Sequence, residues 1–237
     1  MDKIYHLRDA TTLRVVDYLK QHGFSRMPFV PVQEPQLCKT GYFSSRWIPP
    51  SEEKAVLLWG DGSHHQVSYH FSPERKYFKS IDDAHDDFGP FYYGKVECGN
   101  HNTMLVNRDN YLQGLEVLGV NFRLGKNAEI NRIATQKDIG IMISKELKTT
   151  LSGEVVHKSI DLDVLKNYPC RWGYAIGQHN FEQMKANFET LLRGNQVVRF
   201  DVGGFSRHHD TRHTPRIKQG HGLREYKELL ELYCGFN

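Results

Sequence analysis

A chain of 237 residues, 39% hydrophobic and 25% charged, carries enough apolar material to bury the core of one large α/β domain, which excludes an unstructured chain. Its formal net charge of +3, with lysine and arginine scattered, speaks against nucleic acid as a partner. Four separated cysteines (Cys38, Cys98, Cys170 and Cys234) form no C-x-x-C pair, so a zinc ribbon or a thioredoxin-like centre is excluded and a reduced, cytoplasmic setting is expected.

In chain order, MDKIYHLRDATTLR has no apolar signal segment, and no run is long enough for a membrane span. Residues 9–22 read as a helix, with Asp9 as cap, Leu13, Val16 and Leu19 on one face and Gly23 as stop. Residues 27–50 are rich in proline and aromatics and read as irregular. AVLLW (55–59) is a short apolar run of the kind buried on both faces of a sheet. Further strands are expected at 77–81, 115–122, 155–160 and 197–200, with a helical stretch near 128–149. Residues 180–193 have helical spacing between Asn180 as cap and Gly194 as stop, and LREYKELLELY is an amphipathic C-terminal helix. Strands alternating with helices predict a single domain over residues 1–237, a three-layer, doubly wound, mostly parallel sheet.

Three of these strands run into unusual polar sequence: AVLLW into GDGSHH, KYFKSI into DDAHDD, and VVHKSI into DLD. Parallel sheets build sites at the C-terminal ends of their strands. In extended chain Asp83, His85 and Asp87 project to one side, as do Asp161 and Asp163. Taken singly, D-x-H-x-D is equally a solvated acidic turn, and IDLDV is more readily a strand end whose aspartates cap a helix. Taken together with His64 or His65, four carboxylates and two imidazoles suit two divalent cations. Oxygen-rich donors favour Mn²⁺ and leave Fe²⁺, Co²⁺ or Zn²⁺ open. Two such ions can lower the pKa of a shared water. The loop after His85 is aromatic (Phe88, Phe91, Tyr92, Tyr93), which reads as core packing or as an open mouth. The histidines of 205–222 (His208, His209, His213, His221) read as a surface loop in preference to a lid over the site or a peptide-docking loop. No P-loop, dinucleotide fingerprint or G-x-S-x-G elbow is present.

DAHDD and SIDLD resemble the D-A-H-x-D and S-x-D-x-D motifs of the ureohydrolases, the arginase and agmatinase family, and WGDGSHHQVSY resembles their G-G-D-H-S motif with an insertion. The resemblance runs from about residue 55 to 205. It implies an arginase/deacetylase-like fold and metal ligands at His65 (His64 as alternative), Asp83, His85, Asp87, Asp161 and Asp163, with Asp83 and Asp161 shared between two Mn²⁺. ECGNHN (97–102) resembles a loop whose histidine shuttles protons, which implies a catalytic His101. In RFDVGGF (199–205) Asp201 is retained, but the position of the guanidinium-gripping glutamate is Gly204, so Asp201 is expected to take part in catalysis and substrate binding. The loop after His85 lacks the polar pattern for a free α-carboxylate. The chain is therefore most similar to the small peptide arginases of ribosomal peptide natural-product pathways. That implies hydrolysis of arginine to ornithine and urea within a precursor peptide received near Tyr92 and Tyr93, with a homo-oligomer left open. The alternatives are an amidohydrolase or deacetylase of the same fold, and a non-catalytic metal-dependent peptide-binding module.

Overall fold

Apolar runs too short for helices become strands covered on both faces. The computed structural model describes residues 3–8, 10–32, 54–60, 77–93, 96–99, 101–123, 128–170, 173–174, 177–205 and 222–235. Eight strands form one sheet: β1 (Ile4–His6), β2 (Phe29–Pro31), β3 (Ala55–Leu58), β4 (Tyr77–Asp82), β7 (Leu112–Leu118), β8 (Gly140–Ile143), β9 (Val155–Asp161) and β12 (Gln196–Gly203). Their order is β2-β1-β3-β12-β9-β4-β7-β8, and every neighbouring pair is parallel. Two antiparallel hairpins lie outside it, β5 (Pro90–Tyr93) with β6 (Val96–Gly99) and β10 (Pro169–Cys170) with β11 (Gly173–Tyr174).

Helices cover both faces, as the alternating pattern predicts. Helices α1 (Ala10–Gln21), α4 (Phe181–Gly194) and α5 (Arg224–Gly235) pack on the face that carries Val156, Ile160, Phe200 and Val202. Helices α2 (His101–Arg108) and α3 (Ala128–Gln136) pack on the opposite face against Ile81, Leu115 and Val117. The result is a three-layer, doubly wound α/β fold. No helix among the described residues is long and apolar enough to cross a membrane.

Two of the expected helix boundaries form, at Gly23 and Asn180, whereas Gly194 stays inside its helix and Asn195, in extended conformation, ends it. Asn180 accepts from Gln183 N while the Gln183 side chain accepts from Asn180 N, a reciprocal capping box at the start of α4. Gly23, at φ +117, follows α1, whereas Asp9 lies outside the described residues. The helix expected near 128–149 stops at Gln136. Asp138 takes a left-handed φ of +56, and the β-branched run that follows forms β8. Strand β7 begins at Leu112 and ends at Leu118, because Gly119 turns the chain at φ +82.

Three adjacent strands, β4, β9 and β12, also bury charge. Lys158 Nζ donates to Asp82 Oδ1 at 2.8 Å and to Ser80 Oγ at 3.1 Å, with the Lys158 and Asp82 side chains fully buried. Asp82 therefore turns away from the acidic residues that follow it and is answered by a lysine. On the other face Lys79, His157 and Arg199 occupy one register row across β4, β9 and β12.

Candidate metal centre

Strands β4 and β9 are neighbours, and Asp82 pairs with Ile160, so residues 83–87 and 161–163 emerge side by side. Neither segment stays extended. The carboxylate of Asp83 accepts from His85 N at 2.8 Å, a tight turn that replaces the expected pleat. Asp87 sits at φ +48. Asp161 ends β9, and its Oδ1 accepts from Asp163 N at 3.0 Å, capping a single 3-10 turn at Leu162–Val164. Capping and convergence thus coexist. The turn swings Asp163 toward β4, where its Oδ1 accepts from Ala84 N at 3.0 Å and its Oδ2 lies 3.0 Å from His85 Nδ1.

Asp83, His85 and Asp163 each present one ligand atom within 4.8 Å of the others. The two aspartates are buried, and the His85 side chain is 31% exposed. Burial and the nearby Asp83 charge raise the Asp163 carboxyl above its usual range, against the pull of His85. Burial alone would depress the His85 imidazole, but its hydrogen bonds to Asp163 and Asp83 and their charges push it up to about 12. Without a metal the imidazole proton supplies the positive charge between the two carboxylates, and a divalent cation bound there would displace it. The donor set of two carboxylate oxygens and Nδ1 fits a divalent cation such as Mn²⁺.

Of the other expected ligands, Asp87 is buried two residues beyond His85, and Asp161 is half-buried at its capping turn. His64 and His65 lie outside the described residues. Gly204 follows β12 at φ +102, and a Cβ there would fall 2.4 Å from Asp161 Oδ1 and 2.9 Å from Leu162 N. The close approach of Asp161 requires glycine at 204.

Asp201 is placed one side-chain layer below the strand ends rather than at them. It is fully buried, pairs in register with Ser159, and lies two residues before Gly203, the partner of Asp161. Its Oδ1 accepts from Trp59 Nε1 at 3.2 Å and from Ser159 Oγ at 2.6 Å, and its Oδ2 takes the His157 Nε2–H. Burial and the neighbouring Lys79 hold the His157 imidazole down at about 4, against the attraction of Asp201. An unfolded histidine titrates near 6.5, so between about 6.5 and 4 the unfolded chain binds the extra proton. The contribution of this residue is fully present above pH 6.5 and is lost as pH falls toward 4. His157→Gln should flatten that part of the stability-pH curve by about 2–3 kcal/mol, read from urea melts at pH 7.5 and 4.5. Parallel curves for the two proteins would refute the assignment.

His101 is the first residue of α2, and Tyr92 and Tyr93 are on β5; the side chains of these three residues lie outside the described atoms. Phe88 is 6% exposed and belongs to the core beneath α2 and α3, so this aromatic is packing and not mouth. An aromatic at the site that sequence reasoning passed over is Phe122. Its backbone bridges to His85, its ring stands edge-on to the imidazole at 5.7 Å between centroids, and it is 48% exposed. Nothing local in VNFRLG announces this, because the contact is made across the sheet end.

No protein-family model matches this sequence, and no curated protein sequence matches it either. The fold has clear counterparts among solved structures. Helicobacter pylori arginase superimposes with a TM-score of 0.66 at 13% identity, covering 99% of each chain. Proclavaminate amidino hydrolase from Streptomyces clavuligerus gives 0.63 at 13% identity, covering 99% of this chain and 93% of that one. The agmatine ureohydrolase of Thermoplasma volcanium gives 0.61 at 14% identity, covering 99% and 90%. A variant of a T. brucei arginase-like protein, solved with Mn²⁺ bound, also matches, at 0.53 and 15% identity, covering 100% and 90%.

Proposed function

We propose, from a chain that has the ureohydrolase fold over its whole length, that this protein is a metal-dependent hydrolase of guanidino groups acting on arginine within a peptide and giving ornithine and urea. The observation that carries the reading is the convergence of Asp83, His85 and Asp163 at adjacent strand ends of that fold. Asp83, Asp163 and Nδ1 of His85 would hold one divalent ion, and Asp87, Asp161 and His65 (or His64) a second. Ions bound there would supply Lewis-acid activation of a water molecule. In the reaction, water adds to the guanidinium carbon, the bond to the side-chain nitrogen breaks, and the departing amine takes up a proton. His101, at the start of α2, is assigned the delivery of that proton.

The peptide preference is supported by the rim. Phe122 offers an exposed aromatic face beside His85. Hairpin β5–β6 comes shortly after Asp87 along the chain, and Tyr92 and Tyr93 on it are assigned to receive the peptide backbone. An aromatic contact of this kind is worth about 0.5–1.5 kcal/mol, so kcat/KM on an arginine-containing peptide should exceed that on free arginine by about 2- to 12-fold. The test is incubation of Mn²⁺-loaded protein with both substrates, assayed for urea and for peptide mass. Equal turnover of free arginine would reduce the reading to a plain arginase, and no urea from either would overturn it.

A further inference from the structure

We propose that Asn102 and Thr103, in the first turn of α2, are positioning residues for Asp87, clamping the Asp86–Asp87 backbone so that the Asp87 carboxylate is presented to a divalent cation. The proposal rests on the reading of Asp87 as a metal ligand. Its starting point is backbone strain. Asp87 is a non-glycine residue at φ +48, a left-handed conformation that aspartate reaches more readily than most residues but still at a cost of about 1 kcal/mol, and here it is held by neighbouring contacts.

The enforcing contacts come from one helix turn. Asn102 Nδ2 donates to Asp86 O at 2.9 Å. Thr103 donates twice to Asp87 O, from its backbone N and from Oγ1, each at 3.3 Å. The first-turn N–H of a helix has no intrahelical acceptor, so α2 can spend it on this carbonyl at no loss to itself. On the opposite side Asp86 N donates to Phe122 O at 3.1 Å, which pins the segment from β7's side as well. All four residues of the junction are buried, Asn102 completely.

A second cost sits at the same junction. Asn102 Oδ1 is buried without a hydrogen-bond partner, a penalty of about 1–3 kcal/mol that an apolar side chain of similar volume would avoid. Packing of α2 does not require the amide; donation to Asp86 O does. The clamp also has a functional address. Helix α2 begins with His101, so the residue assigned to proton delivery and the residues that shape Asp87 share one turn.

The experiment is calorimetric titration of Mn²⁺ into EDTA-stripped full-length protein, with melting temperature recorded alongside, for wild type, Asn102→Leu, Thr103→Val, Thr103→Ser and Asp87→Ala. The expected result is two ions in wild type, with one of the two weakened about 10- to 100-fold in Asn102→Leu and Thr103→Val and the other unchanged. Thr103→Ser keeps the hydroxyl and should titrate as wild type. If Asn102→Leu fails to fold, the Val and Ser pair at 103 carries the comparison. Lower melting temperatures with both affinities intact, or equal weakening of both ions, would overturn the clamp. Loss of one ion in Asp87→Ala with none lost in the Asn102 and Thr103 variants would overturn it alone and leave the ligand reading standing. Two wild-type affinities in Asp87→Ala, or a wild-type protein that takes up no second ion, would remove the ligand reading and the clamp with it.

Discussion

Asp163→Ala should leave a folded protein that no longer retains a divalent ion at the β4–β9 junction and releases no urea from any guanidino substrate. The carboxylate supplies one of three donor atoms that lie within 4.8 Å of one another, and it also fixes the other two. Its Oδ2 faces His85 Nδ1, and its Oδ1 takes the Ala84 N–H between Asp83 and His85. Removing it therefore deletes a donor and frees the turn that aims the remaining pair. The loss of affinity should exceed the about 10- to 100-fold that follows removal of an outer-shell partner. Stability of the metal-free protein should fall, because the change removes a partner of the His85 imidazole and orphans the Ala84 amide, and relief of the Asp83–Asp163 repulsion offsets only part of that loss. Asp163→Asn separates the two roles. It keeps an acceptor for Ala84 N and removes the charge, and it should still lose the ion. Metal analysis after dialysis, paired with a urea assay, reads both. Wild-type metal content or turnover in either variant would show that the centre is built from other residues.

Asp82→Ala should be among the most destabilising single changes in the chain, at about 3–5 kcal/mol. Burial raises the Asp82 carboxyl, and Lys158 pulls it back, so the two charges are sustained by each other inside the sheet. Deleting the aspartate leaves the Lys158 ammonium, among the described residues, with Ser80 Oγ as its hydrogen-bond partner. Lys158→Met in the Asp82→Ala background should recover most of the loss, because an apolar pair pays no desolvation penalty. Urea unfolding of the two single variants and the double variant measures the coupling. Additive losses would show that the pair contributes no interaction of its own.

The contrast between Asp82 and Asp83 marks where sequence reasoning stops. In DDAHDD the four aspartates look like one acidic cluster held by cations. Alternation along β4 sends Asp82 to one face, where Lys158 neutralises it, and Asp83 onward to the strand end, where His85 and Asp163 gather. The motif was legible because its residue types are chemically uncommon at a strand end. The partner of Asp82 was not, because Lys158 is 76 residues away and only parallel pairing of β4 with β9 brings it alongside. Asp201 shows the same limit. The strand is readable from VVRFDV, yet its depth depends on the register against β9, and that register puts the carboxylate a layer below Asp161, among Trp59, Ser159 and His157.

The sequence by itself determined the alternation of strands and helices, the doubly wound parallel sheet, and the two polar segments at the C-terminal ends of its strands. Local residue chemistry suffices for these: apolar runs too short for helices, caps such as Asn180, and carboxylates with imidazole at strand ends. The tertiary structure alone decided that Asp161 caps a turn which delivers Asp163 to His85, that glycine is required at 204, that Phe88 is core while Phe122 stands at the rim, and that α2 holds Asp87 in a left-handed conformation. Each of these depends on atoms brought together across strands or from a helix packed on the sheet, and distances between such atoms are set by register and packing rather than by spacing along the chain.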